Sequence, residues 1–191
     1  MVDVERVKVA VRELLLAIGE DPEREGLKET PRRVAEALKE LLSGMGQDPR
    51  QYLRPIPEVE HEEMVVIRGI KFHSLCEHHL LPFFGEVHVA YIPKGRVVGI
   101  SHVVRAVEAL SRRLQVQERM TKELADALMD AIKPWGVMVV VEAEHLCMTM
   151  RGVKKPGSKV VTSAVRGTCR TSKTTREEAL ALITGARERK P

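Results

Sequence analysis

Apolar residues recur at i, i+3 and i+4 along residues 4–18, as Val4, Val7, Val11, Leu14, Leu15 and Ile18. This predicts an amphipathic helix closed by Gly19 and Asp21-Pro22. Thr30-Pro31 reads as an N-cap followed by the proline of a first helical turn, and Val34, Leu38, Leu41 and Leu42 form the stripe of a second helix that stops at Gly44 and Gly46. The pair makes a helical hairpin over residues 1–50. The proline-rich connector Arg54-Pro-Ile-Pro-Glu joins it to a larger unit expected over residues 62–191. There the period changes to two. Met64–Ile70 reads as a strand, and Glu86–Ile92 alternates with Val87, Val89 and Tyr91 on one face. Pro93-Lys-Gly marks a turn, and Ser101 is expected to cap a helix with Val103, Val107, Leu110 and Leu114 inward. A further helix carries Met120, Leu124, Leu128 and Ile132 until Pro134 ends it. Strands follow at Val137–Glu142 and Lys159–Val165, and Thr175-Arg-Glu-Glu reads as a capping box opening a last helix to about Thr184. Strands on both sides of a helix pair, without βαβ alternation, predict an α+β fold with an antiparallel sheet.

Composition narrows the possible roles. The chain has 191 residues, 43% hydrophobic and 30% charged, which suits a folded domain with a real core. Aromatics at 3% leave that core to aliphatic side chains and exclude the stacking platforms of a single-strand nucleic-acid binder. A net charge of +4 suits an anionic small molecule and equally an ordinary solvated surface. No apolar run approaches the roughly 18–20 residues of a membrane span, and Met1-Val-Asp-Val-Glu-Arg lacks a signal-peptide core. With three cysteines, the expectation is a soluble cytoplasmic protein with neither membrane nor nucleic acid as partner.

Candidate chemistry concentrates in two runs. Cys76-Glu-His-His places a cysteine and His79 at i, i+3, with His73 just upstream, and Glu144-His145-Leu-Cys147 supplies a second pair. If the fold joins them, Cys76, His79 and Cys147 form a Cys₂His set that leaves a fourth tetrahedral position open, the pattern of a catalytic zinc. His78 and His145 would then stand beside the metal, free for proton transfer. The residues alone leave other readings open: unrelated buried cysteines with half-buried histidines, or a Cys76–Cys147 disulfide, against which the odd cysteine count speaks. Cys169 reads as a small apolar filler.

Several longer motifs make the chain recognisable. Cys76-Glu-His-His, Tyr91-Ile-Pro-Lys-Gly, Val98-Gly-Ile-Ser, Arg112-Arg-Leu-Gln-Val-Gln-Glu-Arg, His145-Leu-Cys-Met-Thr-Met-Arg-Gly and Thr174-Thr-Arg-Glu-Glu together resemble the GTP cyclohydrolase I family. So does Glu25-Gly-Leu-Lys-Glu-Thr-Pro-Arg-Arg-Val-Ala in the hairpin, so that the likeness runs from about residue 4 to 184. The resemblance implies a tunnelling fold, an antiparallel sheet with two helices on one face, whose subunits close into pentamers and stack as a homodecamer. It implies hydrolysis of the guanine imidazole ring of GTP to formate and 7,8-dihydroneopterin triphosphate, a first step toward folates and pterins. By the same resemblance Cys76, His79 and Cys147 hold Zn²⁺, and His78 and His145 carry protons. Glu118 accepts hydrogen bonds from guanine, with Gln117 beside it, and Ser101 contacts ribose. Arg33, Arg105 and Arg151 match the basic positions that clamp the triphosphate.

Two positions depart from the family pattern. His102 stands where the family has lysine after the serine, and Glu36 stands where the N-terminal helix has lysine. Both changes remove attraction for a polyanion. Lys94, Arg96, Lys154 or Lys155 could compensate, or His102 itself when protonated. The rival readings are therefore a diverged relative acting on another guanine-like ligand, and a ring-forming scaffold with structural zinc. A scaffold has no need of His78, His145 and Glu118.

Overall fold

The computed structural model describes residues 2–185; Met1 and residues 186–191 of the two expected units lie outside them. The chain begins with α1 (Val4–Ala17) and α2 (Thr30–Leu41), continues through β1 (Pro55–His61), β2 (Val65–Cys76), β3 (Pro82–Ile92) and β4 (Gly95–Val98), and enters α3 (Ile100–Ser111). Then come β5 (Leu114–Gln115), α4 (Gln117–Ile132), β6 (Gly136–His145), α5 (Leu146–Thr149), β7 (Lys159–Gly167), α6 (Thr168–Thr171) and α7 (Lys173–Thr184). Among the described residues no helix is long and apolar enough to cross a membrane.

The main sheet has the order β5-β2-β3-β6-β7, antiparallel throughout except for two-residue β5 beside β2. The fold is α+β, as the periodicity predicts. Helices α3 and α4 cover one face. Val103, Val107, Leu110, Met120, Leu124 and Leu128 pack against Phe72, Phe83, Val87, Val89, Tyr91, Val139 and Val141 in one aliphatic core. The opposite face divides in two. At one end α7 closes a second cluster of Ala90, Met138, Cys169, Ala179 and Ile183, so Cys169 is an apolar filler. At the other end the face stays polar, with Lys71 paired to Glu86 and Lys159 to Glu142.

Several expectations are corrected. The proline-rich connector is strand β1, which pairs with β4 in a separate two-stranded ribbon. A ribbon edge tolerates Pro55 and Pro57 because their missing N–H groups need no partner there. Ser101 does not cap α3, because Gly99 occupies the N-cap and Ser101 falls inside the first turn. Thr30 is likewise the first helical residue, after Glu29. Thr175 lies inside α7, whose cap is Ser172, with Thr175 N–H donating to Ser172 Oγ at 3.2 Å. Of the apolar stripe on α1 only Leu15 is buried, whereas Leu14 and Ile18 are 59% and 65% exposed.

An ion pair ties α4 to the outer strand β7: Arg166 Nε donates to Asp126 Oδ1 at 2.7 Å, and Lys122 adds a second bond at 3.0 Å. Partial burial alone would raise the Asp126 carboxyl, but the bonds from Arg166 and Lys122 outweigh it and hold it below its ordinary value of 3.8. A depressed folded value means that the pair stabilises fully above the unfolded value and fades as pH falls through the folded one. Asp126→Asn is therefore expected to lower the urea midpoint at pH 7, with the gap to wild type closing once pH drops below about 3.8. An equal gap at pH 7 and pH 2.5 would contradict this assignment.

Candidate active site

Strands β2 and β6 both run antiparallel to β3 and flank it, so they end at the same rim of the sheet. β2 delivers Cys76 as its last residue, and β6 delivers His145 as its last, followed by Cys147 in α5. This topology brings the two sequence runs together. The start of α4 reaches the same rim, because β5 pairs with the end of β2 through Leu75 with Leu114 and Cys76 with Gln115. Glu77 N–H donates to Gln115 O at 3.1 Å and secures the junction.

After Cys76 the backbone makes a single helical turn. Cys76 O accepts from His79 N at 3.3 Å and from Leu80 N at 2.8 Å, which sets Cys76 and His79 on the same side. Leu80 closes the turn in the left-handed region at φ 54°, a conformation that costs a non-glycine residue about 1–2 kcal/mol. Ligand atoms of Cys76, His79 and Cys147 lie within 4.8 Å of one another. His79 presents Nδ1 to Cys76 Sγ at 3.8 Å, and its Nε2 lies 3.3 Å from Arg151 Nη1. Burial and the neighbouring Cys76 sulfur push the Cys147 thiol above its ordinary value. Two adjacent thiols resist ionising together, and a divalent cation between them reverses that preference. A donor set of two sulfurs and one imidazole fits zinc by softness and number.

The proton-carrying candidates differ in setting. His78 is exposed, with Nδ1 at 3.9 Å from Cys76 Sγ and its ring edge-on to His79. His145 is half-buried and stacks on Phe83 with centroids 4.6 Å apart and planes at 4°. Burial lowers its affinity for a proton, and the charge of Glu118 opposes that effect. Glu118 is exposed in the first turn of α4, where a carboxylate is favoured by the helix dipole.

Gln117 departs from expectation. Its side chain is buried and its carboxamide fully engaged: Nε2 with Val141 O at 3.0 Å, Val160 O at 3.0 Å and Thr162 Oγ1 at 3.1 Å, and Oε1 with His145 Nε2 at 2.7 Å. The amide oxygen holds His145, and all of the amide nitrogen's hydrogens are engaged by β6 and β7. Sequence reading also passed over Arg119, which grips Glu77 with two bonds of 2.6 and 2.8 Å and clamps the Cys76–Leu80 turn to α4. The signal was present, since Glu77 lies inside Cys-Glu-His-His and Arg119 follows Gln-Glu in the long motif.

Of the expected phosphate-binding residues, Arg151 stands at this rim beside His79, and the others do not. Ser101, His102 and Arg105 occupy the first turns of α3, Arg33 sits in the first turn of α2, and no hydrogen bond or ion pair among the described residues joins them to the cluster. Arg105 lines a cavity of about 370 Å³ with Ser43, Gly44, Gln47 and Tyr52. His102 Nδ1 lies 3.0 Å from Arg54 O, a carbonyl that can only accept, so Nδ1 donates to it. Glu36 is bonded through both oxygens to Arg32, at 2.8 and 2.9 Å. His73 stacks on Phe84 on the polar face, away from the thiols.

Comparison with known proteins decides the family: the family model described as GTP cyclohydrolase I matches residues 7–184. The chain belongs to the GTP cyclohydrolase I family. A relative from Carboxydothermus hydrogenoformans named GTP cyclohydrolase 1 is 59% identical over 184 residues, covering 96% of each chain. One of the same name from Caldanaerobacter subterraneus subsp. tengcongensis is 57% identical over 188 residues, covering 98% of this chain and all of the relative. A third, from Thermobifida fusca, is 57% identical over 97% of this chain and 91% of its own. Among solved structures, the archaeosine synthase QueF-Like in the apo form aligns with 56% of this chain and 97% of its own at 22% identity and a TM-score of 0.44. The family is one of enzymes, and its match spans both α2 and the thiol rim.

Proposed function

We propose that the chain hydrolyses the imidazole ring of guanine in GTP, releasing C8 as formate and yielding 7,8-dihydroneopterin triphosphate. The observation that carries this reading is the convergence of Cys76, His79 and Cys147 at the rim where His78, His145 and the start of α4 also meet, in a chain of this family. Zinc held by the two sulfurs and His79 would supply Lewis acidity for the attack of water on C8. The remaining work falls to side chains. Glu118, acceptor-only when ionised, takes hydrogen bonds from guanine N1–H and the 2-amino group and so rejects adenine. His145 and His78 hold and return protons at the purine ring, where nitrogen must be protonated for C8 to become electrophilic. Ser101 meets the ribose, and Arg105, Arg151, Arg33 and His102 face the phosphates.

The phosphate residues scattered over α2 and α3 support a site shared between copies of the chain, and the exposed Leu14 and Ile18 of α1 support burial against a second copy. A homodecamer of two pentamers is the assembly we favour, with residues 1–50 as its helical appendage and 62–191 as the catalytic unit. Three free cysteines fit a reducing cytoplasm.

A second reading, a relative acting on another guanine-like ligand, rests on His102 and Glu36. The pairing of Glu36 with Arg32 offsets part of its charge and favours GTP. Purified protein incubated with GTP is expected to release formate and the pterin triphosphate, and to lose both when a chelator is added. GTP is expected to outpace GMP and guanosine. No formate from GTP by zinc-loaded protein would overturn the proposal, and equal rates on GTP and guanosine would favour the second reading.

A further inference from the structure

The hydrogen bonds around Gln117 determine where a proton sits on His145. Val141 O and Val160 O are backbone carbonyls that can only accept, and both lie 3.0 Å from the same end of the Gln117 carboxamide. That end is therefore the NH₂ group, since the flipped amide would set one oxygen against two others. The other end is then Oε1, also acceptor-only, and it lies 2.7 Å from His145 Nε2. Nε2 must carry the hydrogen.

Two threonines support the same orientation. Thr121 Oγ1 donates to Gln117 O at 2.7 Å, so it accepts from Thr162 Oγ1 at 2.7 Å, and Thr162 in turn accepts from Gln117 Nε2 at 3.1 Å. Every hydrogen in this buried chain points one way. Gln117 and Thr121 are each 1% exposed, so water does not compete for the amide. Phe83 lies flat on the imidazole and blocks rotation of the ring. Nδ1 has no hydrogen-bond partner among the described residues.

We propose that Gln117 is a positioning residue that holds His145 as its Nε2–H tautomer, making Nδ1 the one ring atom through which His145 exchanges a proton with the substrate. This rests on the reading of His145 as a proton carrier in the proposed reaction. When His145 acts as acid, the N–H bond at Nδ1 breaks, the proton and its charge pass to a ring nitrogen of the purine, and a neutral Nε2–H imidazole remains. When it acts as base the same bond reforms. Nε2–H is kept throughout.

Magic-angle-spinning NMR of full-length protein labelled with ¹⁵N-histidine reads the tautomer directly, with His145→Gln identifying the signal. The expected result is a protonated Nε2 and a bare Nδ1 in wild type. A protonated Nδ1 with a bare Nε2 would overturn the proposal whether or not any variant folds. Gln117→Leu is expected to mix the two tautomers and to lower kcat for formate release at least about tenfold, with KM changed less than about threefold. Thr162→Val leaves both carbonyls to orient the amide, so the tautomer persists and kcat stays within about threefold. Gln117→Leu with an unchanged spectrum and rate would also overturn the proposal. Wild type with the expected tautomer but no formate from GTP would overturn the reaction and leave the tautomer assignment standing.

Discussion

Cys147→Ala is expected to lower formate release from GTP by at least about 1,000-fold, the scale of losing a whole catalytic device. That is about 4 kcal/mol of transition-state stabilisation. The argument starts from the sheet: β6 brings Cys147 beside a thiol and an imidazole presented by a separate turn. Two ligands bind a divalent ion far more weakly than three, and substitution also removes an anion that balances its charge. Bound zinc, measured by plasma emission on the purified protein, should fall in step with activity, while the circular dichroism of the helices stays unchanged. His78→Ala separates metal binding from proton transfer. It should keep the zinc, because His78 is outside the ligand set, yet lose turnover. Turnover within about tenfold of wild type in Cys147→Ala would remove the metal from the mechanism. Survival in His78→Ala would remove His78 from proton transfer.

The largest structural effect is expected at Gly85, in the middle of β3. A methyl group there would lie 1.9 Å from Glu142 O and 2.7 Å from Ala143 Cα, both backbone atoms of β6. Neither can swing aside as a side chain would, so the two central strands must separate locally. Gly85→Ala should destabilise the chain by about 3 kcal/mol or more. For a domain of this size that is a fall in Tm of roughly 6–12 °C. Gly46→Ala provides the contrast. Nothing lies within 4 Å of the added methyl there, and only the left-handed backbone at φ +77° resists, which costs about 1 kcal/mol. Equal melting shifts in the two variants would show that the contact at Gly85 carries no special weight.

The hydrophobic pattern foretold the main layers because burial drives both periods. Val87, Val89 and Tyr91 are buried under α3 and α4, as the alternation from Glu86 requires. What the pattern could not show are features decided by backbone geometry or by polar partners distant in sequence. Pro55 and Pro57 argue locally for a connector, and only pairing with β4 makes them a strand. Helix starts were misplaced at Ser101 and Thr175 because each sits near a second residue able to cap, Gly99 and Ser172. For the site, the two Cys/His runs were visible as candidates, yet nothing local brings Cys147 to Cys76. Register across β3 does so. Gln117 was placed beside the base because it adjoins Glu118, whereas helical geometry turns the two side chains apart and sends Gln117 under the helix to β6 and β7.

The position of the thiol rim also orders events during the protein's synthesis. Cys76 ends β2 and Cys147 follows β6, two strands that do not pair with each other, and β3, paired to both, holds them in reach. While β6 is still emerging from the ribosome, Cys76 and His79 alone present a weak two-point grip. Capture of the proposed metal would therefore wait until the sheet is assembled. From that moment its binding would draw the folding equilibrium forward by mass action, so that metal supply would act as a late checkpoint on maturation.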